Sequence, residues 1–399
     1  MPRYKQTEIG LIPEDWKVVR LKDGEYFRII QGENYPTKDL RKEGYPVFGA
    51  NGIIGYGDRF HYEEPVVVVT CRGSTCGTVN ITLPKSFVTH NAMAILPLKE
   101  PIDTFFLYYA LSQTDFSKAI SGTGQPQITK ASISIMKIPL PPLEEQKKIA
   151  QILSTVDEAI EKTDEAIEKT QRLKKGLMNE LLTKGIGHKE FKQTEIGTIP
   201  EEWLVVKLEE VFKVETGTTP STKNPEFWEN GNIMWITPND LSKNKISIFI
   251  KDSERKITQK ALEKNNLTLV KPYSIILSTR APVGYVAVNL VETAFNQGCK
   301  ALVPKTELDT TFFAYHLLFI RKKLESLSGG STFKELSKPS LKSILIPLPP
   351  LEEQKKIAEI LSTVDERLDL LHRKKEKLTK IKKALMNDLL TGKRRVIAS

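Results

Sequence analysis

The sequence is poor in cysteine and has no long apolar run. Among its 399 residues there are three cysteines, and no stretch approaches the ~20 apolar residues that a bilayer-spanning helix needs. Its apolar runs are short, PVVVVT at 65–70 among them. The opening MPRYKQTEIG lacks the apolar core of a secretory signal. These absences point to a soluble, cytoplasmic protein. Cys71, Cys76 and Cys299 cannot build a disulfide framework, and the single C-x4-C pair has no second pair or nearby histidine to complete a tetrahedral zinc site. A strong excess of one charge is missing too. The net charge is +10, from 59 basic and 49 acidic residues. It is spread as 16 against 14 over 1–142, 8 against 9 over 143–184, 22 against 18 over 185–350 and 13 against 8 over 351–399. A groove that holds DNA by phosphate neutralisation alone is not evident, although a mild positive field suits a polyanion partner. With 40% hydrophobic residues the chain is not generally disordered, and its length is a prior for two or three domains.

Catalytic motifs are equally scarce. Gly392 and Lys393 lack the upstream glycine and following Ser or Thr of a phosphate loop, no G-x-G-x-x-G opens a helix, and the five histidines contain no H-E-x-x-H. NPEF at 224–227 resembles the Asn-Pro-Pro-Phe/Tyr element of adenine aminomethyltransferases. Glu226 replaces the second proline, no glycine-rich cofactor motif accompanies it, and the segment reads as a loop. His61, His90 and His316 have no triad partner at a recognisable spacing. Cys76, between Thr75 and Gly77, would be a nucleophile only with a base beside it. The residues favour binding over catalysis.

What the sequence does have is an internal repeat. QTEIGLIPEDWKVVRL at 6–21 returns as QTEIGTIPEEWLVVKL at 193–208, with 12 of 16 positions identical at an offset of 187. IPLPPLEEQKKIAQILSTVDEAI at 138–160 returns at 346–368 with 20 of 23 identical, and LKKGLMNELLT at 173–183 returns as IKKALMNDLLT at 381–391, both at an offset of 208. The offset grows by 21 within the almost unrelated text between 21 and 138, and between 208 and 346. Each half is an opening segment, a private insert and a shared helix.

Pro139, Pro141 and Pro142 forbid helix before them, and the chain then runs from Leu143 to about Thr183 without another proline. A seam is expected at Ile149, Ile152, Val156, Ala159, Thr163, Ala166, Thr170, Leu173 and Leu177. The second copy places it at Ile357, Ile360, Val364, Arg367, Leu371, Lys374, Leu378, Ile381 and Leu385. About 40 residues make a rod of roughly 60 Å. Two equivalent units related by a two-fold axis would place their rods antiparallel. The inserts alternate short β-rich runs with glycine-rich turns and then an apolar helical stretch, TFFLYYALSQ in one and TFFAYHLLFIRKKL in the other. The expected fold is therefore α/β: two globular mixed α/β domains, 1–142 and 185–350, separated by two long antiparallel coiled-coil helices, 143–184 and 351–399 with its tail, in an internal pseudo-two-fold repeat.

Two divergent regions, each closing in IPLPPLEEQKKIA before a long helix, resemble the specificity subunit of type I restriction–modification systems. YPVFGANGIIGY (45–56), and GTTPSTKNPEFW with WITPNDL (217–228 and 235–241), also resemble opening motifs of two different subfamilies of target recognition domain. The resemblance covers essentially the whole chain. It implies that each insert binds one half of a split sequence in double-stranded DNA and that the helices act as spacer. It also implies docking of two methyltransferase subunits, which bind S-adenosylmethionine, and of restriction/translocase subunits, which use ATP and magnesium. This chain then needs no cofactor and carries no catalysis of its own.

Base reading needs donors and acceptors on well supported loops, with Arg suiting guanine and Asn or Gln suiting adenine. The candidates are Arg72, Ser74, Thr75, Asn91, Thr123, Gln125 and Gln127 in the first insert. In the second they are Thr218, Thr219, Ser221, Asn239, Arg280, Asn296, Gln297, Ser331, Thr332 and Lys334. Two unlike inserts on a two-fold frame imply a bipartite, asymmetric site. Two other readings remain open, a stand-alone DNA methyltransferase or nuclease and a duplicated coiled-coil scaffold with peptide-binding heads.

Overall fold

The computed structural model describes residues 3–98, 101–122, 124–244, 246–329 and 335–396. The chain divides into two compact units, Met1–Lys162 with Lys375–Ser399, and Thr163–Lys374. Four helices organise them: α1 (Thr104–Ser112), α2 (Leu143–Lys184), α3 (Thr310–Phe319) and α4 (Leu351–Leu389).

In the first unit the strands β1 (Phe27–Gln31), β2 (Val67–Thr70), β3 (Val79–Ile81) and β4 (Ala92–Pro97) form an antiparallel sheet in the order β1-β4-β2-β3. All four residues of β2 are buried, so the apolar run seen in the sequence is a strand covered on both faces. Helix α1 packs on this sheet through Phe106, Leu107 and Leu111, which share a core with Phe27, Ile29 and Val67. A second sheet holds Gly52–Gly57, Tyr45–Gly49 and Phe87–Val88, with a parallel pair between the last two. The opening segment is tied to the junction before α2, because Lys17–Arg20 pairs with Lys137–Leu140.

The second unit is built alike. Strands β5 (Phe212–Thr216), β6 (Phe249–Ile250), β7 (Ile275–Ser278), β8 (Val286–Asn289) and β9 (Cys299–Pro304) run in the order β5-β9-β7-β8-β6. Its smaller sheet contains Arg255–Ile257, Ile233–Ile236, Thr293–Phe295 and Leu269–Val270, again with a parallel pair at its centre. Equivalent bonds locate the offset growth. Thr89 N–H donates to the Phe48 carbonyl and Asn296 N–H to the Ile236 carbonyl, both at 2.9 Å. That is an offset of 188 at Phe48, whereas β2 and β7 end at Thr70 and Ser278, an offset of 208. Arg255–Ile257 takes the place that Gly52–Gly57 has in the first unit, each antiparallel to the strand of the parallel pair, so the additional elements of the second unit are β6, Leu269–Val270 and the helices Pro238–Lys243 and Gln259–Lys264.

The long helices begin alike for a reason visible in their repeated LEEQ. Gln146 donates from Nε2 to the Pro141 carbonyl (2.8 Å) and accepts from Asp103 N–H (2.9 Å), and Gln354 does the same with Pro349 (2.8 Å) and Asp309 (3.0 Å). Each glutamine locks the helix start to the N-cap of α1 or α3. The neighbouring carboxylate also turns inward, fully buried at Glu145 and partly at Glu353. Glu145 accepts from Trp16 Nε1 at 2.9 Å and from Arg395 Nε at 2.7 Å. Glu353 accepts from Trp203 Nε1 at 2.9 Å and from the N–H of Ile186 at 2.8 Å, with His188 Nε2 at 2.9 Å.

The helices are antiparallel. In the first unit Ile149 and Leu153 share a core with Leu389 and Leu390, and Lys382 meets Asp157 at 2.6 Å. In the second, Leu181 and Leu182 share a core with Ile357 and Leu361, and Lys174 pairs with Asp365. The seam differs from the expected one by a half-register. Positions 149, 163 and 170 are buried as expected, but the companions buried beside them are Leu153, Ile167 and Leu181, a 4,3 alternation in which Val156, Ile160, Lys174 and Leu177 are half-buried. Ile152, Ala159 and Ala166 are only half-buried, and Leu173 is 54% exposed. In α4 the inward companions are Leu361, Leu368, Lys375, Lys382 and Leu389, while Ile360 and Ile381 are exposed. The physical reason is that both phases carry apolar residues, and the phase that wins also feeds polar networks. Tyr109 Oη donates to Asp157 (2.8 Å) and Tyr315 Oη to Asp365 (2.7 Å), which lets the lysines lie in the seam with a carboxylate partner.

Candidate nucleic-acid interface

In the first unit β2 ends at Thr70 and Cys71 leads into a turn. Cys71 N–H donates to the Asn91 carbonyl at 2.8 Å, and its own carbonyl accepts from Ile128 N–H at 2.9 Å. Arg72 faces Gln127 in an antiparallel bridge, and Gln127 exchanges two 2.9 Å bonds with Ser121. Three loops are thus fastened side by side by their main chains, which leaves their side chains available. Arg72, Ser74, Gln125 and Gln127 are exposed, and Thr75 and Asn91 are half-buried. The structure brings Arg72, Asn91 and Gln127 onto neighbouring backbone. Thr123 lies outside the described residues.

The second unit repeats the arrangement. Thr279 N–H donates to the Gly298 carbonyl at 2.8 Å, its carbonyl accepts from Leu336 N–H at 2.9 Å, and Arg280 bridges Glu335, which bridges Gly329. Arg280, Glu335, Gly329 and Leu336 stand 208 residues beyond Arg72, Gln127, Ser121 and Ile128. A groove of about 460 Å³ gathers Asn239, Arg280, Asn296 and Gln297 around Pro238, Ser242 and the Ala281–Pro282 turn. Thr219 Oγ1 bonds the Gln297 side chain beside it. Not every candidate amide is idle: Asn296 Oδ1 accepts from Gly298 N–H at 3.0 Å, and Asn239 Nδ2 donates to Glu254 at 3.2 Å. Ser331, Thr332 and Lys334 lie outside the described residues.

GTTPSTKNPEFW and WITPNDL come together as the anchor of the loop bearing Thr218, Thr219 and Ser221. Trp228 Nε1 donates to the Ser221 carbonyl (3.0 Å) and Trp235 Nε1 to the Thr218 carbonyl (3.2 Å). The indoles meet edge to face at 5.0 Å, and the Arg255 guanidinium sits 3.6 Å from the Trp228 ring centre. NPEF is a 3₁₀ turn in which Asn224 Oδ1 caps Glu226 N–H at 3.2 Å.

Sequence reasoning missed two charged residues. Glu335 Oε2 accepts from Arg280 Nε at 3.0 Å, and Lys300 Nζ lies 3.9 Å from Oε1. Burial of Lys300 pushes its amine below the usual lysine range, against the pull of Glu335. The repeat offset held the signal for Glu335, since it places this residue opposite Gln127. Burial pushes the Cys71 and Cys76 thiols up, so both favour the neutral form. Among the described residues no three His, Cys, Asp or Glu side chains converge as a metal site, and no helix is long and apolar enough to cross a membrane.

The family model described as Type I restriction modification DNA specificity domain matches residues 13–169 and 200–380. The chain belongs to this type I specificity family. The putative type I restriction enzyme MjaX specificity subunit of Methanocaldococcus jannaschii is 35% identical to this specificity chain over 432 residues, covering 98% of it and 97% of the relative. The MjaVIII specificity subunit of the same organism is 33% identical over 424 residues, covering 98% and 96%. The crystal structure of a type I restriction-modification S subunit from M. genitalium has the same fold, with a TM-score of 0.68, 20% identity and 98% of both chains covered. The specificity chain thus has two specificity domains, and the duplicated fold that its repeat announced is that of S subunits.

Proposed function

We propose that this specificity chain binds double-stranded DNA at a bipartite, asymmetric sequence, with residues 1–142 and 185–350 each reading one half-site and the helices at 143–184 and 351–399 spacing them. The carrying observation is that equivalent backbone positions hold unlike side chains. Gln127 and Glu335 face Arg72 and Arg280 across the same bridge, so one frame offers two different reading surfaces. The chain acts in the cytoplasm without catalysis of its own, and S-adenosylmethionine, ATP and magnesium belong to its partners.

Those partners are two methyltransferase subunits, together with restriction/translocase subunits. Burial accounts for much of the repeated junction, since Glu145, Gln146, Ile149 and Leu153 are inside. It does not account for Glu144, Lys147, Lys148 and Thr155, which are exposed and recur identically as the exposed Glu352, Lys355, Lys356 and Thr363. An outward surface presented twice supports two copies of one partner. Native mass spectrometry with saturating methyltransferase is expected to find two per chain, and a stable one-to-one complex would refute this. Mapping methylated adenines in a host genome tests the reading role. Arg72→Ala should relax one position in one half-site and Arg280→Ala one position in the other. Uniform weakening with a shallower salt dependence would assign the arginines to phosphate.

A further inference from the structure

Each loop cluster is closed by a bridge between an arginine and one residue of a neighbouring loop, Arg72 with Gln127 and Arg280 with Glu335. A carboxylate is out of place on a surface that meets phosphates, because like charges repel. The second unit nevertheless holds Glu335 there between two cations, with Arg280 Nε at 3.0 Å from one oxygen and Lys300 Nζ at 3.9 Å from the other. Lys300 is 5% exposed and rises from β9. In the first unit the equivalent strand position is Met93: Leu277 pairs with Lys300 as Val69 pairs with Met93. The lysine is present where there is a carboxylate to hold and absent where the bridged residue is glutamine.

The Glu335 side chain is 37% exposed at the rim of the unit, so pairing with Arg280 does not bury it. An exposed ion pair of this kind adds little to stability, which leaves the placement of the carboxylate unexplained by folding. An acceptor-only side chain facing base edges finds its donor in the N4 amino group of cytosine, whereas glutamine, with both donor and acceptor, matches adenine. We infer that the bridged position is specificity-determining, with Glu335 accepting from a cytosine in the second half-site and Gln127 pairing with an adenine in the first. Lys300 is a positioning residue that keeps the carboxylate at the surface. This rests on the DNA-reading function proposed above.

The test uses the full chain co-purified with its methyltransferase subunit and a pool of duplexes randomised over both half-sites. Glu335→Gln should shift one second-half-site position from cytosine toward adenine by about 5- to 150-fold, the range of one good base contact, and leave the first half-site unchanged. Lys300→Met, which installs the residue found at that strand position in the first unit, should relax the same base position alone; a lysine with a merely structural role would weaken every position together. Unaltered base frequencies in the Glu335→Gln pool would overturn the inference. So would uniformly tighter binding to every sequence, the result of simply removing a negative charge. If the unsubstituted chain selects no sequence at all, it is the DNA-reading function that fails.

Discussion

Gly32 of the first unit and Gly217 of the second occupy the same place in regions whose sequences are otherwise almost unrelated. A Cβ on either would lie 2.2 Å from a carbonyl oxygen, that of Thr89 or of Asn296. The next residue in each case donates its N–H to the adjoining strand, Glu33 to Val88 at 3.1 Å and Thr218 to Phe295 at 3.0 Å. Elsewhere the two units part company. Arg72 faces Gln127 while Arg280 faces Glu335, and Ala110 on α1 stands where His316 stands on α3, each following a tyrosine that bonds the long helix. The comparison teaches that the frame lives in main-chain hydrogen bonds and close approaches, which many side chains satisfy, and that recognition chemistry is free to change on it.

The sharpest way to break the parallel is at the inward-turned carboxylates, Glu145 and Glu353. Glu145 is fully buried and its cation is Arg395, which also holds Asp15 at 2.7 and 2.9 Å. Arg395→Ala would leave that charge with Trp16 alone, and we expect a loss of about 3–5 kcal/mol confined to the first unit. His188→Ala should cost the second unit about 1–3 kcal/mol, since Glu353 keeps two donors. Hydrogen exchange of amides in each unit separates the effects, and equal losses would refute the distinction. Gly32→Ala and Gly217→Ala should each cost about 2 kcal/mol, because the backbone must shift, and an unchanged urea midpoint for either would refute the equivalence.

A third test uses pH. His316 is buried in α3, its Nδ1 has no hydrogen-bond partner among the described residues, and burial lowers its pKa from 6.5 to about 3. The folded chain keeps it neutral where the unfolded chain takes up a proton. The stability of the second unit is therefore full above pH 6.5 and falls as pH drops toward 3, by about 2 kcal/mol at pH 5. His316→Leu should remove this slope, and the first unit, with Ala110 in that place, should lack this contribution; urea unfolding from pH 7 to 5 followed by exchange in each unit checks it. The smallest expected effect tests the seam. Leu173→Gln should change stability by no more than about 0.5 kcal/mol, because that side chain faces outward; a thermal unfolding shift of several degrees would restore the other register.

Much of this was legible in the sequence. The repeat, the two mixed α/β inserts and the start of each long helix follow from identity, proline placement and apolar patterning, and Arg72, Asn91 and Gln127 were candidates that the fold brings onto neighbouring loops. The seam phase was not legible, because Ile152 and Leu153, or Ala159 and Ile160, are both acceptable to a helix of 3.6 residues per turn. Glu335 was passed over because acidic residues are poor candidates for a polyanion surface when read one at a time. Its meaning depends on Arg280 and Lys300, which lie 55 and 35 residues away in the chain.

By itself the sequence determined that there are two equivalent units, where the rods begin and which family the chain resembles, since these rest on local rules and on copying. Only the tertiary structure decided which face of each rod is buried, why Glu145 and Gln146 recur, and which loops share a rim. Those outcomes depend on contacts between residues far apart in the chain, where packing and hydrogen-bond geometry choose among side chains that the local sequence leaves equivalent.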